Sequence, residues 1–91
     1  MTRDDVLIQA QYCVSRDRNS AYGEPEDSFV GIAVFWSAYL GCKISTHDVA
    51  LMLALMKIAR AKANPQHADS WIDLAGYAAC GGEIGTRGGG A

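Results

Sequence analysis

The stretch STHDVALMLALMKIARAKANPQHADSWID, running from Ser45 to Asp73, decides how this chain folds. It opens with Ser45-x-x-Asp48, a start signal in which a hydroxyl and a carboxylate answer the unpaired amides of a helix N-terminus. Val49, Leu51, Met52, Leu53, Leu55, Met56, Ile58 and Ala59 follow, apolar on nearly every side. Such a pattern predicts a core helix, central or covered on a second side by a partner chain. Asn64-Pro65 ends it, because proline lacks an amide and disfavours helix in the residue before it. A second helical pattern begins near Asp69.

Two bases and two acids flank that break, as Lys57-x-x-Arg60 and Asp69-x-x-x-Asp73. In an antiparallel helical hairpin, positions equally far from the turn lie side by side. Lys57 and Asp73, each eight residues from Pro65, are expected to pair, with Arg60 near Asp69. Spacings of three and four keep each couple on one helix face. The four charges form either an internal ion-pair cluster that fixes the hairpin's register or the floor of an anionic-ligand site. Burial decides between these readings.

Working outward, Thr2-x-x-Asp5 is another helix start, leading into Val6, Ala10, Cys13 and Val14 and a helix over about 3–16. Residues 17–24 read as a polar loop closed by Gly23, with Pro25 suited to the first turn of a helix over about 26–40. That helix carries Phe29, Ile32, Ala33, Trp36, Tyr39 and Leu40 at helical spacing, and Gly41 supplies its stop. The last helix spans about Asp69 to Cys80 or Gly82, with small residues Ala75, Gly76, Ala78 and Ala79 that admit a close neighbour. The expectation is an all-α, small four-helix bundle over residues 1–84, assembled as a homo-oligomer, with a flexible glycine-rich tail over 85–91.

Ninety-one residues that are 49% hydrophobic and 20% charged describe one small domain. Eight bases against ten acids, with no basic block, argue against a dedicated nucleic-acid binder. No run reaches the ~18 apolar residues of a membrane span, and the N-terminus lacks the apolar core of a signal peptide. The expected location is therefore the cytoplasm. Cys13, Cys42 and Cys80 have no CxxC or histidine at ligand spacing and read as buried structural thiols.

Tyr22-Gly23-x-Pro25-Glu26-x-x-Phe29, Trp36, Asp48-Val49-Ala50, Lys57-x-x-Arg60 and Asp69-Ser70-x-x-Asp73-x-x-x-Tyr77, taken in order, resemble a family of small phage- or prophage-encoded proteins of unknown function. The resemblance covers about residues 4–84. More distantly, the set is similar to phage nucleotide-modification-associated domains and to the all-α NTP pyrophosphatase (MazG-like) superfamily. That similarity implies a helical oligomer that binds a nucleoside triphosphate and hydrolyses it with Mg²⁺. The MazG-like pattern places an acidic pair on each of two helices, because Mg²⁺ needs several carboxylate oxygens. Here Lys57 and Arg60 stand where the first pair belongs.

The function read from these residues is therefore phage-type and nucleotide-related, binding or pyrophosphohydrolysis of a nucleoside triphosphate. In a catalytic version Asp69, Asp73 and Glu26 hold Mg²⁺, while Lys57 and Arg60 neutralise phosphate charge. Arg16, Arg18 and Tyr22 form a second group able to grip a phosphate and stack a base, or else a solvated loop. Asp48 is better placed as a helix-capping acid than as a metal ligand. The alternative function is a non-enzymatic accessory module that sequesters a nucleotide signal or binds a host protein against a defence.

Overall fold

The computed structural model describes residues 1–15 and 25–87, with the backbone alone for 25–27. All regular structure in these residues is helical. The helices are α1 (Arg3–Val14), α2 (Pro25–Leu40), α3 (Thr46–Ala63) and α4 (Ala68–Gly85). Both expected capping boxes are formed. The Asp5 amide donates to Thr2 Oγ1 at 3.1 Å while the Thr2 amide donates to Asp5 Oδ2 at 2.9 Å. At the start of α3 the Asp48 amide donates to Ser45 Oγ at 3.1 Å and the Ser45 amide to Asp48 Oδ2 at 3.0 Å.

Between α2 and α3, Gly41 takes a φ of 71°, the left-handed conformation that stops a helix at little cost in glycine. The Ser37 hydroxyl then ties the linker back, accepting from the Ile44 amide at 2.9 Å. Between α3 and α4 the Asn64-Pro65 break acts as expected, and Trp71 Nε1 donates to the Pro65 carbonyl at 2.9 Å, pinning the turn to the start of α4.

The α3/α4 hairpin is the most extensive contact of the fold; α1 packs on α4 and α2 on α3. Its core is built from small side chains: α3 buries Val49, Ala50, Ala54 and Ala61, and α4 buries Ser70, Ile72, Gly76 and Cys80. Phe29 and Ala33 of α2 complete the cluster, with Ile32, Trp36, Leu53, Tyr77 and Ile84 packed around it. Small residues let helix axes approach closely. A Cβ added at Gly81 would meet the Ala50 Cβ at 2.9 Å.

Three expectations change. Helix α4 runs through the glycines to Gly85, past the end expected at Gly82, because Ile84 packs on the core and the Thr86 hydroxyl donates to the Gly82 carbonyl at 2.7 Å. Tyr39 and Leu40 are exposed, Tyr39 by 89%, as are Val30, Val34 and Phe35 of the same helix, while Phe29, Ile32, Ala33 and Trp36 face the core. Of the three cysteines, Cys80 is buried, Cys13 half-buried and Cys42 exposed in the linker. Residues 88–91 of the expected tail, and the loop 16–24, lie outside the described residues.

Gly81 and Gly82 are a matched pair for testing the close approach. Alanine favours helix over glycine by about 1 kcal/mol, and at Gly82 an added Cβ meets nothing within 4 Å. Gly82→Ala is expected to stabilise by about 0.5–1 kcal/mol. Gly81→Ala is expected to destabilise by about 1–3 kcal/mol through overpacking against Ala50. Urea denaturation of both variants checks this, and equal shifts of one sign would contradict it.

Candidate functional site

On one face of the α3/α4 hairpin, Lys57 Nζ lies 2.9 Å from Asp73 Oδ2. Their side chains are 15% and 36% exposed, so the pair is screened less than a surface ion pair but not desolvated. This is the register expected from their equal distance to Pro65. The second expected couple does not form: Arg60 and Asp69 are both exposed, and no ion pair joins them among the described residues. Both sit near the turn, one at the last turn of α3 and one at the first of α4, where solvent reaches them.

Among the described residues no three His, Cys, Asp or Glu side chains come together so as to hold a metal ion. Asp69 and Asp73 thus belong to no such group there. The Glu26 side chain, and Arg16, Arg18 and Tyr22, lie outside the described residues. Asp48 sits in its capping box at the far end of α3 from the charge pair. The Ser45 amide holds its carboxyl below the usual carboxylate value, helped by the Ser45 hydroxyl and, more weakly, by His47, against a smaller opposing effect of desolvation. His47 Nδ1 meets Ser45 Oγ at 3.1 Å, so this histidine is part of the helix start.

The larger feature is apolar. At about 100° per residue, Leu51, Leu55 and Ile58 form a stripe along α3, with Met52 beside it, about a quarter-turn round from the buried Ala50, Ala54 and Ala61 and opposite the buried Val49. Leu51, Leu55 and Ile58 are 58%, 64% and 49% exposed. Ile58 borders a groove shared with Lys62, Trp71 and Leu74. Trp71 and Leu74 also line a second groove with Val6 and Leu7 of α1. An apolar surface thus runs from α1 across α4 and along α3, opposite the charged face of the hairpin. The sequence signal for it was an α3 apolar on nearly all sides; which side would stay open, and that Trp71, Leu74 and Leu7 would extend it, was not readable from spacing.

Residues 5–85 match the family described as "Domain of unknown function (DUF6378)". The chain belongs to this family. It is 46% identical over 77 residues to the Gene 55 protein of Mycobacterium phage D29, covering 85% of this chain and 51% of that protein. It is 38% identical over 74 residues to the Gene 55 protein of Mycobacterium phage L5, covering 80% of this chain and 47% of that one. The chain therefore spans about half the length of the curated relatives it matches. No solved structure matches it. The resemblance to a phage-type family of unknown function is met at that level, and none of these matches shows the MazG-like similarity.

Two predictions follow from this geometry. Replacing Lys57 by Met strands the partly shielded Asp73 carboxylate and is expected to cost about 1–3 kcal/mol, whereas Arg60→Met should stay within about 0.5 kcal/mol. Chemical denaturation that ranks the two the other way would remove the ion pair as a register lock. For pH, the Asp5 and Asp48 carboxyls both lie below 3.8 in the folded chain. Their stabilisation is present above the unfolded value and is lost as pH falls through the lower folded values. Asp48→Asn should therefore flatten the acid limb of Tm against pH, and an unchanged acid limb would contradict the capping role.

Proposed function

We propose that the chain is a non-catalytic phage accessory module that acts in the bacterial host cytoplasm by docking protein onto its apolar face. The observation that carries this reading is the stripe Leu51, Leu55 and Ile58, continued by Trp71, Leu74 and Leu7, on so small a domain. Contiguous exposed apolar surface on a chain this small marks an association site. No helix among the described residues is long and apolar enough to cross a membrane.

A second reading, binding or Mg²⁺-dependent pyrophosphohydrolysis of a nucleoside triphosphate, draws on Arg60. Its side chain is exposed, and no ion pair joins it to Asp69 among the described residues. Lys57 contributes less, being committed to Asp73 at 2.9 Å. Asp69 and Asp73 would need further carboxylates to form a Mg²⁺ site.

The test compares wild type with Leu55→Glu/Ile58→Glu in lysate of a host producing each chain. Wild type is expected to elute well above 9.7 kDa and the double variant, still helical by circular dichroism, at monomer size. Equal elution of the two would overturn the docking reading. Calorimetric titration with nucleoside triphosphates, with and without Mg²⁺, is expected to give no heat; binding that is lost in Arg60→Met would establish the second reading instead.

A further inference from the structure

We propose that the occupant of the α3 stripe is a second copy of this chain, with the two α3 helices antiparallel about a two-fold axis at Leu55. This rests on the reading of the apolar surface as an association face and names its partner.

The apolar run of the stripe is closed by Asp48 at one end and Lys62 at the other, each seven residues from Leu55 and on the same side of the helix. Within one chain the two are about 21 Å apart along the axis, too far to meet. In an antiparallel pair centred on Leu55, residues equally far from it face each other. Asp48 then meets Lys62 of the second copy, and symmetry supplies the same contact at the other end. A parallel pair would set acid on acid and base on base. Such rim charges fix orientation and partner more than affinity.

The apolar residues follow the same rule. Leu51 shares a level with Ala59, a large side chain beside a small one, which lets the helices interdigitate there, and Met52 shares a level with Ile58. A two-fold contact of this kind is closed and uses one patch twice.

The experiment uses the purified full chain. Light scattering at about 50 μM is expected to return twice the monomer mass. Lys62→Glu, which sets acid against acid at both ends, should raise the dissociation constant at least tenfold at low salt. For the axis, Leu55→Cys is expected to give an interchain disulfide on mild oxidation, beyond any seen in wild type with its native cysteines. Leu51→Cys should not, because the two copies of residue 51 lie about 12 Å apart along the axis, outside the reach of ~7 Å for a disulfide. A monomer at that concentration, no effect of Lys62→Glu, or cross-linking through Leu51→Cys as readily as through Leu55→Cys would overturn the proposal. A purified monomer whose large size in host lysate still depends on Leu55 and Ile58 would overturn the second copy alone. If that lysate size also ignores Leu55 and Ile58, both readings fall.

Discussion

The close approach of α3 and α4 is the constraint on which the rest of the structure depends. A side-chain atom at Gly81 would stand 2.9 Å from the Ala50 Cβ, and around this contact the hairpin buries alanine, serine, glycine and cysteine rather than leucine. Val49, fully buried, is the largest side chain enclosed completely among the described residues. A core of small residues brings backbones together and gains dispersion contacts along the helices. It leaves Leu51, Leu55 and Ile58 of α3 on the outer side, while Leu53 packs at the edge of the core. The tight hairpin and the open apolar stripe are two consequences of one arrangement.

The charges divide the same way. Lys57 projects from the inner half of α3 and meets Asp73, while Arg60, nearer the turn, remains in solvent. The ion pair thus sits on one side of the hairpin and the Leu51, Leu55 and Ile58 stripe on the other, with Trp71 anchored to the Pro65 carbonyl between α3 and α1. An anionic-ligand site would have needed Lys57 unsatisfied; a docking face needs only that nothing in the chain cover the stripe. This asymmetry is what favours the proposed protein partner over a nucleotide.

Relationship to mycobacteriophage Gene 55 proteins places the domain in a family without an assigned activity, and the matched region is about half of each relative.

The local elements were legible in the sequence because their causes are local. Thr2-x-x-Asp5 and Ser45-x-x-Asp48 cap helices through hydrogen bonds between residues three apart, Gly41 stops α2 through its own φ angle, and Asn64-Pro65 breaks α3 by steric exclusion. The Lys57–Asp73 pair was legible too, since the symmetry of a hairpin about Pro65 is a matter of counting. Tertiary structure decided what depends on inter-helix distance and rotation. The packing of Ile84 on the core carried α4 on to Gly85, the rotation of α3 chose alanines for the interior and left Leu55 outside, and the turn's exposure kept Arg60 from Asp69. An apolar residue in a sequence states that it prefers to leave water; only the packed helices determine whether its own chain has the space to take it in.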